Sequence, residues 1–172
     1  MAAHIWKQAP GTLEDMLATI EPVLEEVLVE KQIAYDELTI VVAAGAIPRV
    51  LTFLRDEPFL LFKELVDLCG VDYPERERRF DVVYHLLSMH HNQRIRVKVE
   101  TDEATPVPSV VSVFPTANWF EREAWDMYGI AFRGHPNLKR ILMDDDWEGF
   151  PLRKDEPVGR IPVQFKGAPS AR

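Results

Sequence analysis

The stretch "ANWFEREAWDMYGIAFRGHP", residues 117–136, places Glu121, Arg122, Glu123, Asp126 and His135 among large aromatics beside a glycine turn. Acid, base, cation and imidazole within so few residues would suit general acid–base chemistry. That chemistry needs converging groups: a proton donor and a proton acceptor facing each other across a cleft. Helical spacing works against convergence. If residues 117–128 are helical, Phe120, Ala124, Met127 and Tyr128 form one core-facing stripe, and Glu121 and Glu123 point to different sides. Arg122 and Asp126 stand four residues apart and are expected to pair. The stretch is therefore expected to pack and dock and not to catalyse.

The other candidate chemistry is sparser. His85 sits in the middle of an expected strand, and His90 and His91 are neighbours in a turn. Two adjacent turn residues do not chelate one metal from the same face, and only His4 and His135 remain, so no zinc site is expected. "DDDWEGFPLRKD" puts Asp144, Asp146, Glu148, Gly149 and Asp155 near the register of a calcium loop. Glu at the fifth position, the short Asp at the twelfth, and Pro151 and Pro157 where a following helix would start all depart from that pattern. The alternative is a solvated acidic turn followed by a basic strip, Arg153–Lys154, available to a partner. The chain has no "GxxxxGK", no "GxGxxG" and no nucleophile elbow, and Cys69 is expected to close an apolar helix as a core residue.

The elements that must position these residues read as an α+β fold, a mainly antiparallel sheet packed by helices. A helix is expected over 13–33, with Thr12 as its N-cap and Pro22 as a kink or a restart. "ELTIVVAA", 37–44, reads as a buried strand, and Ile47–Arg55 as a short helix. "DEPFLLFKELVDLCG" reads as another helix, with Pro58 at its first position and Gly70 at its end. Residues 79–89 and 93–100 alternate in character around "HHNQ" and predict an antiparallel hairpin. A helix over Ser109–Phe114 and a second from near Thr116 follow, and the proline and glycine density beyond Gly134 leaves room for few regular elements. The expected division is an α+β domain over 1–115, then the helix and an extended tail over 116–172.

Composition narrows the classes. The 172 residues suffice for a domain with a core, and the net charge of -8 argues against a nucleic-acid footprint and gives no attraction to anionic lipid. A single cysteine makes no internal disulfide and cannot alone hold an iron–sulfur cluster, and it fits a reducing compartment. The longest uncharged apolar run, Thr39–Pro48, is far short of the ~20 residues of a spanning helix. The N-terminal residues have no continuous apolar core of a secretory signal, so membrane association is expected only through a partner.

The C-terminal third carries a resemblance. Glu121-Arg122-Glu123, Trp125-Asp126-Met127-Tyr128-Gly129, Gly134-His135-Pro136, Leu138-Lys139-Arg140-Ile141-Leu142 and Pro151-Leu152-Arg153-Lys154-Asp155 resemble the signature of the C subunit of proton-pumping NADH:quinone oxidoreductase, respiratory complex I. "DLCGVDYPERERRFDVVYHLLS" is similar to the same family's N-terminal domain, so the resemblance covers most of residues 60–160. It implies a non-catalytic core subunit of the hydrophilic arm, packed on the hydrogenase-like large subunit near the quinone-reducing end. Flavin and iron–sulfur clusters would belong to partner subunits, with no cofactor or metal in this chain. Localisation would be peripheral, on the cytoplasmic side of the bacterial inner membrane or the matrix side of the mitochondrial one. Glu121, Arg122, Glu123, Trp125, Asp126, His135, Pro136, Arg140, Arg153, Lys154 and Asp155 are then expected to dock neighbouring subunits. The equivalent subunit of a related membrane-bound hydrogenase or ferredoxin-linked quinone reductase stays open as an alternative, as does a calcium-binding module.

Overall fold

The computed structural model describes residues 11–156. His4 and the part of the expected tail beyond residue 156 lie outside the described residues. A five-stranded sheet in the order β1-β2-β5-β4-β3 organises the chain: β1 Leu28–Ala34, β2 Glu37–Val42, β3 Glu64–Asp72, β4 Phe80–Ser88 and β5 Gln93–Thr101. Within this sheet β2 and β5 run parallel, and the other pairs are antiparallel. Among the described residues, three α-helices, α1 (Leu13–Leu24), α2 (Ile47–Asp56) and α3 (Ala117–Tyr128), complete the α+β architecture. A short parallel pair, β6 (Val107–Pro108) with β7 (Phe132–Arg133), ties the chain before α3 to the chain after it.

The hairpin follows its alternation. β4 and β5 pair from Phe80↔Thr101 to Ser88↔Gln93, and Ile95, Val97 and Val99 turn inward onto Leu86, Tyr84 and Val82. Leu38 and Ile40 of β2 continue that apolar face. Met16, Ile20 and Leu24 of α1, Val50, Leu51 and Leu54 of α2, and Ala117 and Ala124 of α3 bury against it in one cluster. The opposite face carries Thr39, Arg94, Arg96, Lys98, Asp81 and His85. Here β2 is buried at alternate residues and only partly buried between them, not enclosed on both faces.

α1 begins as expected. Thr12 and Asp15 form a capping box, each side chain accepting from the other's N–H at 3.1 Å. Three expectations need correction. The helix expected over 13–33 ends at Leu24, two residues after Pro22, and the chain returns as edge strand β1. Residues from Glu64 are strand β3, not a helix. The misreading has a physical cause. A bulge at Val66 shifts the register between Leu65 and Asp67, so Leu65 and Leu68 both face the core at a spacing of three, which imitates a helical period. Cys69 accordingly lies mid-strand and half-buried, not at a helix end. Residues 109–114 form turns, with the N–H groups of Val113 and Phe114 both bonded to the carbonyl of Val110 at 2.9 Å.

Candidate functional site

α3 starts at Ala117 and ends at Gly129, whose left-handed φ of 79° accompanies a C-cap bond from its own N–H to the Trp125 carbonyl at 2.8 Å. A Cβ on Gly129 would also stand 2.6 Å from Phe150 and 2.7 Å from the Arg153 guanidinium. The helix lies on β3. Gly70 makes that approach possible, since a Cβ there would meet the Tyr128 ring at 2.7 Å.

The expected stripe is partly as drawn. Ala124 and Met127 are buried, and Phe120 and Tyr128 pack half-buried against the core. The fully buried Glu121 and Asp126 are the departure, and each is saturated from within the chain. Glu121 accepts from the Ser109 hydroxyl at 2.7 Å and from the Val110 N–H at 2.7 Å, so it organises the turn before the helix. Burial pushes its carboxyl up, against the pull of those two donors. His135 has a buried side chain, and its Nε2 lies 4.0 Å from Glu121. Its Nδ1 accepts from the Asn137 N–H at 3.0 Å, which leaves Nε2 to donate to the Asn118 carbonyl at 3.2 Å.

Asp126 is the centre of the second set. The consecutive N–H groups of Ile141, Leu142 and Met143 converge on its Oδ2 at 3.0, 2.8 and 3.1 Å, and Arg140 donates to Oδ1 at 2.6 Å. Burial pushes this carboxyl up, but the backbone donors and Arg140 outweigh it and hold it below its ordinary range. The expected Arg122–Asp126 pair does not form. Asp126 takes its charge partner from Arg140, while Arg122 stacks over Trp119 and donates to the carbonyls of Lys139 and Arg140. Arg140 also donates to the carbonyls of Trp147 and Gly149, so one side chain gathers the following loop while its guanidinium lies over Trp125 and Phe150.

A third set closes the segment. Arg153 donates to the Tyr128 carbonyl at the end of α3 at 2.6 Å and lies over Phe150. Buried Asp72 receives Arg79 at 2.7 and 2.9 Å and the Lys154 N–H at 2.8 Å. Arg79 also reaches both carboxylate oxygens of Asp155, at 2.8 and 3.0 Å. Hydrogen bonding to Arg79 holds the Asp72 and Asp155 carboxyls below their ordinary range. Asp155 is thus committed to Arg79, and Asp144, Asp146 and Glu148 stand exposed.

Glu121, Asp126, Arg140, Arg153 and Asp155, all expected to face partners, are thus engaged within the chain. Glu123, Pro136 and Lys154 are exposed, and Trp125 is half-buried. The apolar side chains of Trp119, Leu142 and Leu152 are 61%, 60% and 52% exposed, and no pattern in the sequence marks them out. Glu121 and Asp126 are buried among separate sets of partners, and each of their oxygens already accepts a hydrogen bond from within the chain. Chemically, the arrangement fastens an irregular segment onto a helix.

Residues 40–161 match the model of the family described as "Respiratory-chain NADH dehydrogenase, 30 Kd subunit". The chain belongs to this family. Among its relatives, the C subunit of NADH-quinone oxidoreductase from Methylobacterium sp. (strain 4-46) is 58% identical over 90% of this chain and 73% of its own length. The protein of the same name from Xanthobacter autotrophicus is 57% identical over 90% of this chain and 74% of its own. The fold is similar to that of a chain in the structure of the membrane-bound sulfane sulfur reductase, an archaeal respiratory membrane complex. The TM-score is 0.73 at 23% identity, over 92% of this chain and 98% of that one. The family match takes in α3 and every fastening set described above. No helix among the described residues is long and apolar enough to cross a membrane.

Proposed function

We propose that the chain is a non-catalytic core subunit of a membrane-bound NADH:quinone oxidoreductase that couples electron transfer to proton translocation. In this reading it sits in the hydrophilic arm and packs on the hydrogenase-like large subunit near the quinone-reducing end. Residues 1–115 are the scaffold, and 116–172 the signature helix and partner-wrapping tail. Flavin and iron–sulfur clusters reside in adjacent subunits, and the chain is held peripherally on the cytoplasmic side of the inner membrane. The relatives' name and the family match support the complex.

The observation that carries the docking role is the segment after α3. It has almost no regular structure, yet internal charges hold it against α3, leaving its Leu142 and Leu152, and Trp119 of the helix itself, exposed to solvent. Large exposed apolar side chains on a preshaped surface suit a protein partner. Glu123, Pro136 and Lys154 are exposed as well, and Glu123 and Lys154 add charge to that surface.

Purification of the tagged chain from native membranes tests the reading. NADH-binding flavoprotein and iron–sulfur subunits are expected to accompany it. Hydrogenase subunits in their place would assign it to a related membrane-bound hydrogenase, and a ferredoxin-linked set to the corresponding quinone reductase. Trp119→Asp or Leu142→Asp is expected to deplete assembled complex on a native gel in proportion to the loss of NADH:quinone activity. NADH oxidation by the isolated chain would overturn the proposal.

A further inference from the structure

Beside α3, the open face of the sheet gathers a second set of chemistry-bearing side chains. Asp67 and Cys69 lie on β3 two residues apart and so point to the same face. His85 of β4 is the direct cross-strand partner of Asp67. The carboxylate, thiol and imidazole donor atoms all lie within 4.8 Å of one another, and all three residues are half-buried. We propose that Asp67, Cys69 and His85 form a binding site for a thiophilic divalent cation, zinc above all.

The donor set is the first argument. Sulfur, nitrogen and carboxylate oxygen are the three ligand types that zinc takes, and three protein ligands leave a fourth position open. The spacing is the second. Tetrahedral zinc with ordinary bond lengths sets its ligand atoms roughly 3.3–3.6 Å apart, and this trio lies within 4.8 Å, a gap of the size that side-chain rotation can close. The backbone need not move, because all three residues belong to paired strands of one sheet.

The surroundings leave room for the ion. On one side a cleft of about 180 Å³ is bordered by Asp67, Cys69 and the exposed carboxylate Glu123 of α3. On the other, a cleft of about 200 Å³ is bordered by Asp67, His85, Glu37 and Arg94. The opposing feature is Arg96, the β5 partner of His85, but its guanidinium is engaged by Glu37 and also donates to the Thr39 hydroxyl at 3.3 Å. Spacing along the chain gave no hint of this set, because only the β3–β4 register brings Cys69 beside His85.

The test is titration of the reduced, purified full chain with zinc by calorimetry, and with cobalt by absorption spectroscopy. One zinc per chain is expected, with a micromolar or tighter Kd, and the cobalt form should show a thiolate-to-metal charge-transfer band. Cys69→Ser and His85→Gln should each weaken zinc by at least about 100-fold, since even residues behind the ligands are worth 10–100-fold at such sites. Cys69→Ser should also abolish the charge-transfer band. Asp144→Asn with Asp146→Asn should leave binding unchanged, as should His90→Ala with His91→Ala. Absence of saturable binding would overturn the proposal. So would binding that persists in Cys69→Ser or is lost with either control pair. If Cys69→Ser does not fold, His85→Gln and the cobalt spectrum of the unaltered chain decide.

Discussion

The sheet and the segment from Gly134 to Glu156 are held by different physics. β2, β4 and β5 depend on ladder hydrogen bonds and on a shared apolar cluster in which Ile40, Tyr84 and Val97 are fully buried. The C-terminal segment has no ladder. Beyond local turn bonds and the Leu152 N–H on the Met127 carbonyl, side chains meet the backbone here: Asp126 takes three N–H groups, Arg140 two loop carbonyls and Arg153 the carbonyl at the end of α3. An unpaired polar group away from water is costly, so a segment without a ladder requires charged side chains placed at particular points. The signature residues that look catalytic are those points. The sheet should therefore respond to lost volume and the segment to lost charge.

The largest effect is expected from Asp126→Ala. It leaves three N–H groups and the Arg140 guanidinium without their acceptor, at a cost of about 3–5 kcal/mol. Hydrogen exchange should show the loss concentrated in residues 138–150, with the β4–β5 amides still protected. Leu51→Ala in the buried core should cost about 2–5 kcal/mol, but as a cooperative fall in Tm that spares no region. If both variants loosened the same amides, the contrast would fail.

Gly129→Ala comes next. Its φ of 79° and the approach of Phe150 and Arg153 predict a loss of about 1–3 kcal/mol and faster proteolysis after residue 134. Acid should separate the regions without mutation. The carboxyls of Asp72, Asp126 and Asp155 lie below their ordinary values in the fold. Each contributes stability above the unfolded value of about 4, lost as pH falls through the folded one. Glu121 has the opposite sign: its raised value contributes below the unfolded value and is lost as pH rises through the folded one. Lowering pH from 7 toward 5 should therefore not loosen the segment, whereas proteolysis beyond residue 134 should rise below about pH 4. The smallest effect is expected from Asp155→Ala. That carboxylate is 59% exposed, so after solvent screening its pair with Arg79 contributes less than about 1 kcal/mol, and moderate salt should erase the difference.

Legibility in sequence followed the range of the interaction. The Thr12 cap and α3 were readable because their signals lie within a few residues, and the β4–β5 hairpin because both alternating strands flank a short polar turn. β3 was not, since its bulge gives Leu65 and Leu68 a helical spacing. β1 was lost for a related reason: its apolar residues continued the pattern of α1, and an edge strand with mostly exposed residues shows no clean period of its own. At the signature, the residue types are legible in sequence, but the direction of their side chains is not. Glu121 and Asp126 read as outward charges because nothing nearby in sequence announces that Ser109, Val110 and Arg140 will surround them.

The sequence by itself determined the α+β class, the hairpin, the extent of α3 and the family, because local periodicity and a long run of specific residues suffice for these. Tertiary structure decided what the charges do. Asp126 meets Arg140 and three successive N–H groups only when the segment folds back over α3, and Arg79 joins Asp72 to Asp155 across more than half of the described chain. Asp67, Cys69 and His85 likewise become neighbours only through the β3–β4 register. In each case the partners are distant in sequence, and a charge or ligand takes its meaning from whatever the completed fold sets within a few ångströms of it.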